Sequence, residues 1–464
     1  MIMEKVDLNI HSGLIATKDG RYKGSISIHG GRIVAIGDPE VLPSSRQRID
    51  AEGLIIIPGV IDPHFHSRVP GFPEREDFHT ATMAAAAGGV TTFMDMPVSV
   101  PPVHSVEIMQ EKIEHCEKLA CVDFCIIAAA GSDNLAEIES LCREGVVGFK
   151  TFLHAAPEGR EAEFKGLCAE NDGVFLDVLR EIARSGSVSL IHAENAQITQ
   201  HLTDRFKSKG ICSMEAFFQS RPPLTEIEAV ARTLRFAAET RVPLHLCHMS
   251  TGGAMEAIKR AKEQGIDVSA ETCPHYLLLT QEDVLPLGPY GKIHPPMRDR
   301  ENVEALWKAL SNGILDMVCS DHCPYEAREK EAGLEDIWKA PAGSPNVELV
   351  LPAMLDQVNR GRISLGKMIG VLSENAAKRF GLYPRKGTIQ VGSDADLVLV
   401  DLRVKRMVSR KQMFTKAKEV ARIFEGKEFQ GWPITTVVRG HVVMDKGHFN
   451  SEAFGKGRFV RRRP

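Results

Sequence analysis

Between residues 54 and 320 the chain alternates short apolar runs with longer stretches of helical periodicity, and no other feature restricts its fold as much. The runs lie at 54–60, 90–96, 122–128, 146–150, 188–192, 244–248, 267–271 and 315–320. Amphipathic stretches such as 106–119, 174–185, 226–240 and 253–264 separate several of them. Strands joined by helical crossovers build a parallel sheet. Eight such units predict an α/β chain closed into a (β/α)8 barrel of TIM type. An open doubly wound sheet would carry a Gly-rich phosphate turn after its first strand, and this sequence has none there.

The flanks have a different grain. Residues 5–57 read as short strands at 6–10, 24–28 and 32–36, broken by Asp19-Gly20 and Gly30-Gly31. Beyond Pro384, β character returns at 386–400 and 435–443. The simplest arrangement joins both ends into a composite β-sandwich beside the barrel, with divisions at 1–57, 58–384 and 385–464. The polar stretch 403–430 is expected to be a surface excursion, and the basic end Arg458-Phe-Val-Arg-Arg-Arg463 a solvated terminus.

In a (β/α) barrel, chemistry gathers at the carboxyl ends of the strands. The polar residues there are His64 and His66, Lys150, His192, His248 and Asp321. Taken alone, His64 and His66 would pass as ordinary strand-end histidines, although at i and i+2 they share one face. His245, in Leu244-His-Leu-Cys-His248, reads as a core histidine. Four histidines, a lysine and an aspartate all ending strands exceed what packing selects, and they point to a metal site. Two divalent cations side by side need bridging anions, and an ammonium at Lys150 would repel them. Reaction with carbon dioxide would turn that amine into a carbamate of opposite charge. Nitrogen and oxygen donors suit zinc best, with manganese or cobalt as substitutes.

A formal net charge of −4 argues against a dedicated nucleic-acid binder. The ten cysteines are scattered without zinc-ribbon spacing, as in a reducing compartment. The start Met1-Ile-Met-Glu-Lys-Val-Asp7 has no signal-type apolar run, and no run nears the ~20 residues of a membrane span. The expected setting is the cytoplasm, with no membrane partner.

These motifs resemble those of the cyclic amidohydrolases, namely hydantoinases, dihydropyrimidinases, allantoinases and dihydroorotases. The resemblance runs in matched order along essentially the whole chain. It begins with Pro58-Gly-Val-Ile-Asp-Pro-His-Phe-His66, Gly88-Gly-Val-Thr-Thr-Phe-Met-Asp-Met-Pro97, Val147-Gly-Phe-Lys150 and His192-Ala-Glu-Asn195. It continues in Glu271-Thr-Cys-Pro-His-Tyr276, Pro295-Pro-Met-Arg298, Ser320-Asp-His322 and Gly392-Ser-Asp-Ala-Asp396. The resemblance implies two zinc ions, the more buried held by His64 and His66 and the other by His192 and His248. It makes Lys150 the carboxylated bridge and Asp321 both ligand and general base. The implied reaction is hydroxide attack on a ring carbonyl of a small cyclic amide or ureide, with Asp321 passing the proton to the leaving nitrogen. A homotetramer is implied as well.

Departures from the pattern narrow the substrate. Arg68 resembles the arginine with which dihydroorotases grip a carboxylate. However, Val98 stands where those enzymes usually carry Asn, and Asp321-His-Cys-Pro-Tyr325 lacks their second carboxylate contact. Dihydropyrimidinases place an oxyanion-holding tyrosine five residues beyond the bridging lysine; here Ala155 stands there, with His154 beside it as a substitute donor. The hydantoinase–allantoinase branch fits best, through Met96-Pro-Val-Ser-Val-Pro-Pro102, Arg221-Pro-Pro-Leu-Thr-Glu-Ile-Glu-Ala229 and Asp336-Ile-Trp-Lys-Ala340. By the same resemblance, His294, Ala342 and Gly343 contact the substrate, and Arg68 reads an anionic or ureido substituent. The alternatives are a dihydroorotase or dihydropyrimidinase, a non-enzymatic scaffold relative, and a hydrolase of acyclic amides or a deaminase. All six ligand positions stand against the scaffold, and the order of the motifs stands against the last.

Overall fold

The computed structural model describes residues 5–157 and 159–463. Residues 1–4, part of the stretch read for a leader, lie outside them. Among the described residues no helix is long and apolar enough to cross a membrane.

Five N-terminal strands come first: β1 (Val6–Ala16), β2 (Arg21–His29), β3 (Arg32–Gly37), β4 (Ser45–Asp50) and β5 (Ile55–Pro58). Eight more are parallel neighbours in sequence order. They are β6 (Val60–Phe65), β7 (Val90–Asp95), β8 (Asp123–Ala129), β9 (Gly148–Phe152), β10 (Ser189–His192), β11 (Leu244–Leu246), β12 (Val268–Thr272) and β13 (Met317–Val318). A bridge between Phe65 and His322, with His66 N–H donating to the His322 carbonyl at 2.9 Å, closes the ring into a barrel. Finally β14 (Leu397–Met407), β15 (Glu428–Val438), β16 (His441–Asp445) and β17 (His448–Phe449) join the first five in a nine-stranded mixed sheet. Its seam is the antiparallel pairing of β5 with β14.

Barrel strands are covered on both faces, which is why β6, β7 and β8 are buried at every position, their polar residues included. The crossover helices start on side-chain caps: Ser105, Asn171, Asn195 and Asp299 each accept from the N–H three residues on. Helix Asp172–Ser185 buries Phe175, Val178, Leu179 and Ile182, one helical stripe against the barrel. Each such side chain contributes about 1.5–3 kcal/mol by leaving water.

Three expectations are corrected. The run at 54–60 is two strands: β5 belongs to the mixed sheet and the first barrel strand is β6. The break falls at Gly59, where a Cβ would lie 2.0 Å from Thr91 Oγ1, so only glycine lets the chain pass from one sheet to the other. Residues 403–430 are no free excursion. They bury Val408, Met413, Val420, Ile423 and Phe424 and dock on two buried carboxylates. Glu348 accepts from the Phe414 and Thr415 N–H groups at 2.9 and 3.0 Å, and Glu76 from the Lys416 N–H at 3.1 Å. The backbone of the basic tail is bound, while Arg458, Arg461 and Arg463 are exposed as expected. Phe124 N–H donates to the Arg458 carbonyl (3.0 Å), Val460 N–H to that of Phe124 (2.8 Å), and Arg458 N–H to Asp123 (2.9 Å). The tail thereby pairs with β8 near its start. We propose 58–384 as the barrel domain and 1–57 with 385–464 as its companion, with Pro58 itself still paired to Leu397 in the mixed sheet.

Candidate metal centre

Five strand ends supply the six expected ligand residues. His64 lies in β6 and His66 just beyond it; Lys150 is in β9, His192 ends β10, His248 follows β11 and Asp321 follows β13. All six are buried and line one cavity of ≈ 1810 Å³. The His64 and His66 rings are 5.3 Å apart, His64 and His248 5.1 Å, and His192 and His248 4.7 Å.

Carboxylates behind the histidines fix which nitrogen faces inward. Glu271 Oε1 lies 2.5 Å from His64 Nδ1. A carboxylate only accepts, so Nδ1 carries the hydrogen and Nε2 turns a lone pair toward Asp321 Oδ1, at 3.4 Å. His66 Nε2 stands 3.7 Å from the same oxygen. Glu194 Oε2 holds His192 Nε2 at 2.9 Å, which sends Nδ1 to within 3.0 Å of His248 Nε2. The other oxygen of Glu271 meets His245 Nε2 at 3.0 Å, and His245 Nδ1 meets Ser269 Oγ at 2.8 Å. His245 is thus a core histidine, as expected, but one that braces the site.

Two of these positions have left-handed backbone, His248 at φ 38° and Asp321 at φ 45°. For residues other than glycine this conformation is unfavourable and must be held by its surroundings. Buried Glu226 does so after β11, accepting from Ser250 N–H, Ser250 Oγ, Thr251 N–H and Thr251 Oγ1 at 2.5–3.1 Å. Asp62 does so after β13, accepting from Ser320 N–H at 3.0 Å and from its hydroxyl at 2.5 Å.

The electrostatics follow burial. Desolvation lowers His64 to about 4 against the pull of Glu271, and lowers His66 and His248 well below the usual range, with Arg68 and His192 respectively adding to it. The rings are neutral, as ligands must be. Burial raises Asp321 to about 8 although Lys150 opposes it, so this carboxylate is short of positive charge. Burial would also raise Glu271, but the facing His64 and His245 hold it well below the carboxylate range. Lys150 has no ion pair among the described residues, and its Nζ lies 3.0 Å from Cys247 Sγ. Cys247 is a neutral thiol in contact with the site, raised to about 12 by burial.

The expected substrate contacts line the same cavity. Arg68 is buried and donates to the Val98 carbonyl (3.1 Å), Cys323 Sγ (2.7 Å) and Tyr325 Oη (3.1 Å). His294 stacks on Phe217 at 5.5 Å with its Nε2 unpartnered. Ala342 and Gly343 sit on a loop tied down by two buried lysines. Lys292 Nζ donates to the Ile337 and Ala340 carbonyls (2.7 and 2.5 Å), and Lys330 Nζ to those of Lys292 and Pro341 (both 3.0 Å). The Gly343 N–H is spent on the Lys292 carbonyl at 2.9 Å.

Glu271, Glu194 and Glu226 were not singled out from the sequence. Glu271 had a signal: it ends the seventh apolar run, and the strand-end rule that selected the other six applies to it equally.

The signature of the amidohydrolase family matches residues 55–443. The L-hydantoinase of Paenarthrobacter aurescens is 36% identical over 459 residues, covering 98% of each chain. The allantoinase of Rubrobacter xylanophilus is 36% identical over 461 residues, 99% of this chain and 98% of the relative. Among solved structures, an L-hydantoinase (dihydropyrimidinase) from Arthrobacter aurescens superposes with a TM-score of 0.93, at 36% identity, over 98% of this chain and 100% of that one. A D-hydantoinase superposes with a TM-score of 0.90, at 34% identity, over 99% of both.

Proposed function

The chain belongs to the amidohydrolase family, and from that premise we propose that it hydrolyses a C–N bond in a cyclic amide or ureide of the hydantoin or allantoin kind. The observation that carries this reading is the convergence of six donor side chains from five strand ends on one buried cavity wall. We read His64 and His66 as ligands of one zinc and His192 and His248 as ligands of a second, with Asp321 and Lys150, carboxylated on Nζ, completing the set. The donors suit such a pair: His64 and His66 aim nitrogens at one Asp321 oxygen at 3.4 and 3.7 Å, without hydrogen bonds between them. The unpaired Lys150 amine is the group whose conversion to an anion best offsets added positive charge. Manganese or cobalt suits the same donors. Bound there, the cations supply Lewis acidity to a ring carbonyl and a water acidic enough to ionise near neutral pH.

Asp321 takes the proton as that water adds to the carbonyl carbon and returns it to the ring nitrogen as the C–N bond breaks. Glu271 and Glu194 keep their histidines in the tautomers just described. The product carries a new carboxylate and a released N–H.

Metal analysis and a turnover panel of allantoin, hydantoin, 5-substituted hydantoins, dihydrouracil and dihydroorotate on zinc-loaded protein test the reading. Turnover of hydantoin or allantoin supports it, and metal-loaded protein inert on every ring would refute it. A second reading, a ring bearing a carboxylate as in dihydroorotate, draws on Arg68, a buried guanidinium with no carboxylate partner among the described residues. By resemblance we also propose a cytoplasmic homotetramer, which light scattering on purified protein checks for assembly.

A further inference from the structure

His154 stands in the cavity wall with its ring 5.3 Å from that of Phe152 and 5.8 Å from that of Phe164. Its Nδ1 lies 2.6 Å from the carbonyl oxygen of Ala155. A carbonyl only accepts, so Nδ1 carries the hydrogen. Burial pushes this imidazole down to about 4, with the Ala155 carbonyl opposing and His192 assisting, so the ring holds one proton at working pH. Nε2 is therefore a bare lone pair, and none of the described residues bonds to it. An oxyanion needs a donor, and this nitrogen has no hydrogen to donate. This geometry favours an acceptor at His154 over the donor expected in place of the missing tyrosine. Arg68, Arg221 and Lys292 on the same cavity are donors suited to carbonyl oxygens, and a ring amide presents an N–H beside each carbonyl that donors cannot read.

We propose that His154 is a specificity residue whose Nε2 accepts a hydrogen bond from a substrate N–H, selecting amide and ureide rings that retain that hydrogen. The proposal rests on the ring-opening reading above.

The test compares kcat/KM for hydantoin, N1-methylhydantoin and N3-methylhydantoin in the wild type and in His154→Phe, which keeps an aromatic ring in the same slot. The wild type is expected to lose about tenfold on one of the two methylations. The variant is expected to lose about tenfold on hydantoin itself and to treat that methylated ring as it treats hydantoin. Equal methylation penalties in both proteins at both nitrogens would overturn the proposal. So would a kcat loss in the variant shared equally by parent and methylated rings, the pattern of a lost oxyanion donor. Nitrogen-15 NMR of wild-type protein labelled at histidine reads the tautomer independently of any variant: protonated Nδ1 with bare Nε2 is expected, and the reverse would refute the assignment. If the wild type opens no cyclic ureide, the functional reading falls while the tautomer measurement still decides the acceptor.

Discussion

Glu271→Gln separates a carboxylate that sets a tautomer from one that merely fills space. The native carboxylate faces three donors: His64 Nδ1 at 2.5 Å, His245 Nε2 at 3.0 Å and the His248 N–H at 3.3 Å. An amide of the same shape has one acceptor oxygen and one NH2. If the NH2 turns to His64, Nδ1 must give up its hydrogen and Nε2 must take one, on the nitrogen that now faces Asp321 at 3.4 Å. If it turns to His245, that ring must move its hydrogen away from Nε2, where it faces the Ser269 hydroxyl through Nδ1 at 2.8 Å. The first choice removes the lone pair on His64 Nε2 that a zinc ion would use, and the second keeps it but replaces the carboxylate behind His64 with a neutral, weaker acceptor. Partners of this kind are worth about 10–100-fold in metal affinity or activity, or about 1.4–2.7 kcal/mol. The assay is zinc retention against a graded chelator series alongside kcat/KM on the best substrate of the panel, with melting temperature as the check on folding. A Glu271→Gln protein that holds zinc as tightly as the wild type and keeps full kcat/KM would refute the argument.

Three other perturbations have definite expected outcomes. Asp321→Asn, assayed at matched metal content, is expected to lose about hundred- to ten-thousand-fold in kcat; full activity with both metals bound would remove Asp321 from proton transfer. Deleting residues 458–464 removes the three hydrogen bonds to β8 and the buried Val460, a few kcal/mol, and scanning calorimetry is expected to show melting several degrees lower with specific activity of the folded enzyme unchanged. Burial raises Glu348 from the ordinary range to about 8; the folded state therefore binds more protons than the unfolded chain between about pH 4.5 and 8, and the stability it contributes falls as pH rises through that window. Glu348→Gln should gain on the wild type in melting temperature from pH 5 to pH 8, and a pH-independent difference would contradict the assignment.

What the sequence makes legible here is whatever depends on periodicity and on position along a strand. The apolar runs lead to the barrel because strands buried on both faces need little beyond hydrophobicity, and six donors follow from the rule that strand ends face the site. The failures share another cause, since each depends on a partner far away along the chain or on a single atom. Gly59 divides an unbroken apolar run because Thr91 stands 2.0 Å from where its Cβ would be, a contact no local pattern announces. Residues 403–430 look solvated until Glu76 and Glu348, both far earlier in the chain, are found accepting their backbone N–H groups. The tail's arginines mark it as polar, yet its grip on β8 is made by backbone groups that every residue carries. His154 is the sharpest instance. Its identity is compatible with donor or acceptor, and the choice is made by one neighbouring carbonyl that takes the hydrogen on Nδ1. Chemical class is thus carried by residue types at strand ends, while substrate preference is carried by where individual hydrogens sit, which only the folded geometry decides.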